Sequence, residues 1–416
     1  MENKLITNKH ILLCYNLSLT GLGELYIKEC EYIKQNFTGI VFETETGFKS
    51  HIIQPNTLIY LCGDIGDYLL DDNIKVSKFY IVREFSKNYE GSHSISLGSI
   101  PINLYNTGVY FRDFFHPDKD YFNLLSGEHE YQDLTESNKG SKAFRKGIYL
   151  SKVEKLEDDE YKFNLLRCSS NLDGPTENFR TTDLSVVGSV NSISKWFFEQ
   201  DTELNHVLAQ IYENKIIEIG DKVMERKAKI KAHSDKTKDM PSNGLMAFCT
   251  FYKGYGKTGL AELDKVKRSN TDFFDYCYND GSSVLTRLRF RLKTSVKDPS
   301  LNKLFDIILY PNSVFLMSLE TNRLYTHEII PSGLPIAKIP TRLGYVIRCS
   351  KTEAIYKDGT TFIVDSDNLV KMEDADIDGV KKLKDMYYAE NTTTGVMDYG
   401  KFYFSLNLGD YKCPVV

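Results

Sequence analysis

The chain has 416 residues, 41% hydrophobic and 26% charged, the balance of an ordinary globular protein long enough for a large core with accessory regions. No run approaches the ~18 apolar residues of a membrane span, and Met1-Glu2-Asn3-Lys4 lacks the basic-then-apolar pattern of a signal peptide, so a membrane or secreted class is not expected and the address reads as cytoplasmic or nuclear. The eight cysteines (14, 30, 62, 168, 249, 277, 349, 413) form no CxxC pair and read as free thiols of a reducing compartment, with no disulfide-linked partner.

The net charge of -5 is unevenly spread. Residues 201–350 carry 23 Lys+Arg against 17 Asp+Glu, while both flanks are acidic, so the middle of the chain is a basic island.

In residues 1–100, short apolar runs at 11–15, 39–42, 57–61 and 79–82 alternate with turn residues and predict the strands of a small β-rich region, with one helix near 24–35. Cys62-Gly63-Asp64-Ile65-Gly66-Asp67 reads as a turn, because no His-bearing loop follows it. Residues 101–150 are rich in Tyr, Phe and Asn and hold a first His-x-Asp, His116-Pro117-Asp118. A second, His233-Ser234-Asp235, follows an alternating stretch at 227–232 and precedes a Pro241-Ser242-Asn243-Gly244 turn and an apolar run at 245–252. About one His-x-Asp is expected by chance in such a chain. The second copy is preferred for its strand-like flanks; the first has a proline between its two donors and a turn-rich setting.

Residues 163–180 read as a strand running into a polar loop in which Arg167 and Asn171 are candidate substrate contacts; the plainer alternative is a turn satisfying its own backbone. A helix is predicted over 186–200 and strands over 204–212, 303–319 (broken at Tyr310-Pro311-Asn312) and 342–349. Beyond 355 the pattern predicts a hairpin, a helix near 376–387 and a last strand. The division that results is an accessory region of unknown role at 1–150, a core at 151–354 and an extension packed on it at 355–416, with no internal repeat.

His233, Asp235 and the distant His327 form a two-imidazole, one-carboxylate set, which covers one face of an iron(II) ion and leaves open positions for a co-substrate and dioxygen. Arg342 and Arg348 lie beyond it. Six apart on a strand, they point from one face, and a guanidinium holds a carboxylate by paired charge-assisted hydrogen bonds.

In this order the elements over roughly 185–350 resemble the AlkB family of iron(II)/2-oxoglutarate dioxygenases: Gln210-Ile211-Tyr212 stands for the family's Asn-x-Tyr, followed by His233-Ser234-Asp235, the run 312–327 ending in His327, and Arg342 with Arg348. The resemblance implies an α+β, mainly β fold with a double-stranded β-helix (jelly-roll, cupin-like) core. It also implies Fe(II) held by His233, Asp235 and His327, and 2-oxoglutarate held by Arg342, Arg348, Tyr212 and Gln210. The reaction it implies is oxidative decarboxylation of that co-substrate, coupled to hydroxylation or demethylation by dioxygen. The chain departs from the family pattern at Gln210, at Gly344 (usually Asn), at an insertion over 215–224, and at Thr237, where an acidic residue often helps read a methylated base.

Lys227, Lys229 and Lys231, and Arg287, Arg289, Arg291 and Lys293, alternate with apolar residues, so each set lies on one sheet face; Lys265, Lys267 and Arg268 add charge between them. Such a face suits a phosphate backbone, with a flipped base reaching the metal, and makes DNA or RNA the expected substrate, with Thr237 and Arg289 as further candidate contacts. The alternatives are a solvated outer face with counter-charges and a protein or small-molecule substrate, or a catalytically silent binding protein of the same fold.

Overall fold

A computed structural model of the chain describes residues 3–15, 23–63, 78–82, 93–135, 142–157, 159–166, 172–256, 259–260, 267–268 and 272–416. The protein is α+β and mainly β. Its centre is a nine-stranded sheet in the order Glu177–Asn178, Lys142–Ser151, His206–Tyr212, Arg342–Arg348, Leu245–Tyr252, Ser313–Ser318, Val109–Phe111, Ile102–Asn103, with Gln132–Thr135 paired onto Lys142–Ser151. A second, four-stranded antiparallel sheet runs Ile230–His233, Tyr325–Ile330, Arg287–Leu292, Leu304–Ile308.

The sequence pattern shows why the two sheets face each other. Arg287–Leu292 and Tyr325–Ile330 alternate buried and more exposed positions, which turns Leu288, Phe290, Tyr325, His327 and Ile329 inward. Leu245–Tyr252 and Ser313–Ser318 are buried at every position, as strands covered on both faces must be. Phe290 meets Phe315 edge-on at 5.5 Å between ring centres, and Phe248 meets His327 at 5.4 Å, so the space between the sheets is filled by aromatic rings.

The helix Thr181–Phe197 covers the other face of the long sheet. Val186, Val187, Val190 and Phe197 form its buried stripe, and the Asp183 carboxylate accepts the Arg180 N–H at its first turn. Asp183 also accepts from Tyr345 Oη, at 2.7 Å, which fastens the helix to the sheet.

Residues 10–95 hold the expected short strands and the helix near 24–35, with a second helix that the sequence did not suggest. They form a parallel five-stranded sheet, Ile40–Phe42, His10–Tyr15, Leu58–Gly63, Lys78–Val82, His93–Ile95, with the helices Glu24–Asn36 and Glu45–Ser50 between strands. Buried parallel strands read as unbroken apolar runs, which carry no mark of pairing direction. The His10 ring stacks on Phe197 at 4.2 Å, joining this sheet to the core.

The expected boundaries move too. Lys142–Ser151 pairs with His206–Tyr212 along most of its length, so residue 150 lies inside the long sheet. The boundary at 354 falls inside Thr352–Lys357, which joins Tyr161–Leu165 to Thr360–Asp365 in a third antiparallel sheet. The helix Ile377–Thr392 is longer than expected, and the last strand is replaced by irregular chain with a single bridge between Glu177 and Val415. Among the described residues no helix is long and apolar enough to cross a membrane.

Candidate metal centre

His233 closes the edge strand Ile230–His233 and His327 sits on the neighbouring Tyr325–Ile330, where the two residues are register partners across a bulge. Their rings lie 4.5 Å apart. Asp235, two residues past the strand, turns its Oδ1 to both, 3.4 Å from His233 Nε2 and 3.8 Å from His327 Nε2. All three donor atoms lie within 4.8 Å of one another. His233 is half-buried; Asp235 and His327 are buried.

The surroundings fix each donor. His233 Nδ1 lies 2.9 Å from the Lys231 carbonyl, which can only accept, so Nδ1 donates and the ring is turned with Nε2 toward Asp235. His327 packs between Phe248 and Phe290, and burial, aided by the neighbouring His233, pulls its pKa down to about 3, leaving a neutral ligand-ready ring. Burial pushes the Asp235 carboxyl up, but the Arg348 guanidinium beside it outweighs this and holds the group well below the usual carboxylate range. Arg348 binds only the outer oxygen, Nε and Nη2 lying 2.7 and 2.6 Å from Oδ2. The Asp235 backbone is held by Asn322, whose Oδ1 accepts the Asp235 N–H at 2.8 Å and whose Nδ2 donates to its carbonyl at 2.9 Å.

Arg342, at the opposite end of the strand from Arg348, is also buried. Its guanidinium lies 3.8 Å over the Tyr212 ring, and its Nε and Nη2 have no hydrogen-bond partner. Tyr212 is its cross-strand partner and hydrogen-bonds through Oη to Gln210 Oε1 at 3.3 Å. Gly344 completes the cradle: a Cβ there would stand 2.8 Å from Arg342 Nη1 and 3.2 Å from Tyr212. A buried guanidinium with two unsatisfied donors is costly unless an acceptor arrives, and a carboxylate fits that fork. The donor set likewise fits a divalent first-row metal.

The long-range partners of this centre come from the C-terminal helix. Asn391 Oδ1 accepts the Ser234 N–H at 2.7 Å, and the buried Glu390 carboxylate accepts the Thr237 N–H at 3.2 and 3.3 Å as well as the Thr237 and Tyr399 hydroxyls. Thr237, a candidate substrate contact, is thus committed to holding the turn. Arg289 is not brought to the centre either. It points from the outer face of its sheet and grips Asp306 with Nε and Nη2, at 2.7 and 2.9 Å. Arg167, Asn171 and Lys265 lie outside the described residues, as does the turn expected at 64–67. His116 and Asp118 meet only in an exposed turn, 3.3 Å apart, and among the described residues they join no group of metal donors. Glu390 and Asn391 lie far from any motif and Asn322 sits unmarked inside the run 312–327; a single Asn or Glu carries no sequence mark of what it touches.

No protein-family model matches the sequence, and no curated protein matches it. Among solved structures, the chain is similar to the structure of OsALKBH1 at 14% identity over 46% of this chain and 78% of that one, with a TM-score of 0.23. It is also similar to the selenomethionine-labelled Fe(II)/α-ketoglutarate-dependent dioxygenase TqaL, at 9% identity over 56% and 73%, with a TM-score of 0.22.

Proposed function

We propose that the chain is an Fe(II)- and 2-oxoglutarate-dependent dioxygenase whose two facing sheets form a double-stranded β-helix. The observation that carries this reading is the combination, between the same two sheets, of a His–Asp–His donor group with a buried guanidinium, Arg342, that has two N–H groups awaiting an acceptor. His233, Asp235 and His327 would hold the iron, and Arg342, backed by Tyr212, would hold the far carboxylate of 2-oxoglutarate. Iron and 2-oxoglutarate, when bound, supply the oxidising power to hydroxylate an unactivated C–H bond with dioxygen.

The chain's own residues prepare that chemistry. Arg348 keeps Asp235 ionised and leaves one oxygen facing the imidazoles. The Lys231 carbonyl orients the His233 ring by accepting from its Nδ1. Phe248 and Phe290 form a dry wall behind His327, while the part-exposed His233 marks the side from which a substrate enters. The test is anaerobic titration with iron(II) and then 2-oxoglutarate. A visible charge-transfer band is expected with the native chain and with neither His233→Ala nor Arg342→Ala. A band of full strength in either variant refutes the assignment.

A nucleic-acid base is the substrate supported by Lys229 and Lys231, which are exposed beside His233. The second basic strand adds nothing to that case: Arg287 and Arg289 both pair with Asp306, and Lys293 is buried on the carbonyls of Glu390 and Thr393. This neutralisation favours a second reading, a protein side chain or small molecule. Retention on single-stranded DNA or RNA that falls steeply with salt supports the first; salt-independent or absent retention supports the second.

A further inference from the structure

Far from this centre, the parallel sheet brings three thiols to one point. Cys14 and Cys62 are register partners on adjacent strands, each one residue from its strand's C-terminal end, and Cys30 reaches them from the helix Glu24–Asn36. All three are buried. The sulfurs of Cys14 and Cys30 stand 3.1 Å apart, and all three lie within 4.8 Å of one another. We propose that Cys14, Cys30 and Cys62 form a second metal site, a three-thiolate site for a divalent d10 cation of the zinc class.

Geometry supports the ion. Zinc–sulfur bonds of about 2.3 Å at tetrahedral angles put ligand sulfurs roughly 3.8 Å apart, inside the 4.8 Å within which all three sulfurs lie. Position supports it as well. From His10–Tyr15 the chain crosses to Ile40–Phe42 on one side and returns to Leu58–Gly63 on the other, so Cys14 and Cys62 flank the point where the winding reverses. Open parallel sheets bind their ligands at the carboxyl ends of the strands on either side of that reversal.

Charge selects the ion. Three thiolates around a divalent cation leave a net charge of minus one in a buried place, whereas a monovalent cation would leave minus two. The nearby Lys34 is already shared by Glu31 and Glu43, so it offsets little. A divalent cation binds thiolates, so its binding would release the thiol protons. The three thiols sit in the apolar core beside Leu12, Ile33 and Tyr60, and the 3.1 Å approach of two of the sulfurs is closer than apolar packing alone brings them.

Cadmium is the probe, added to the reduced full-length chain, because its sulfur-to-metal charge-transfer absorption reports thiolates only and is silent for His233, Asp235 and His327. One equivalent should raise the band and release protons, and Cys14→Ser, Cys30→Ser and Cys62→Ser should each abolish it. Should the variants fail to fold, alkylation mapping of the native chain decides: zinc should protect Cys14, Cys30 and Cys62 while leaving the exposed Cys413 reactive. No band, a band that survives Cys30→Ser, equal labelling with and without zinc, or a Cys14–Cys30 disulfide that forms despite zinc overturns the proposal.

Discussion

Arg348 and Asp235 touch through one carboxylate oxygen only, at 2.6 and 2.7 Å, and the other oxygen faces two imidazoles. A buried carboxylate so divided can serve at once as an ion-pair partner and as a metal donor. Arg348→Met keeps much of the volume but strands the charge. Breaking a buried pair from one side costs about 3–5 kcal/mol. The variant should therefore unfold at markedly lower urea, and Arg348→Met/Asp235→Asn should recover part of that loss while binding no iron. Equal urea midpoints for Arg348→Met and the native chain would count against the ion pair.

Gly344→Ala tests the cradle without replacing a charged residue. The added carbon would stand 2.8 Å from Arg342 Nη1, so the guanidinium must shift off Tyr212. Loss of one charge-assisted hydrogen bond is worth about 1.5–3 kcal/mol. The dissociation constant for 2-oxoglutarate should rise about tenfold or more while iron binding stays put, as read by calorimetry on the iron-loaded chain. A parallel loss of iron would mean the disturbance is not local.

The C-terminal helix steadies the ligand turn from more than 150 residues away through Asn391 and Glu390. Partners of metal ligands commonly change affinity by about 10–100-fold when removed. Asn391→Ala should weaken iron binding about tenfold with little change in melting temperature. Unchanged affinity would reduce Asn391 to a cap.

His129 stands buried between Glu177 and Asp183, at 2.9 and 2.7 Å. Burial opposes its charge, but the two carboxylates prevail and raise its pKa to about 9. The unfolded chain releases that proton near about 6.5. The stabilisation is therefore complete below about pH 6.5 and disappears as the pH rises through about 9. Melting temperature should fall over that window in the native chain, and the fall should be shallower in His129→Gln. Parallel profiles would refute the doubly held imidazolium.

His233→Ala should abolish iron binding and His116→Ala should leave it intact. Equilibrium dialysis with iron(II) reads this directly, and the reverse result would move the centre to the exposed turn.

The three candidate donors and both arginines could be picked out in the sequence because strand periodicity fixes which residues share a face and motif spacing fixes the order, and the structure brings the donor atoms of His233, Asp235 and His327 within 4.8 Å of one another. Three features were hidden. The arginine stripe looked available because its neutralising partner, Asp306, lies on the next strand and becomes its neighbour only through hairpin register. Thr237 looked free to meet substrate because Glu390 is 153 positions away. The parallel pairing of the first hundred residues was hidden for another reason: apolar runs state that a strand is buried, not which way its neighbour runs.

His233 lies on the outermost strand of its sheet, four residues long and bulged against Tyr325–Ile330. Such a ribbon is held on one flank only and opens readily. A cation gripped by both His233 and His327 would work as a clasp, stitching that margin to the body of the sheet, so amide hydrogens at 230–233 should exchange with solvent quickly in the chelator-stripped chain and slowly once iron is restored.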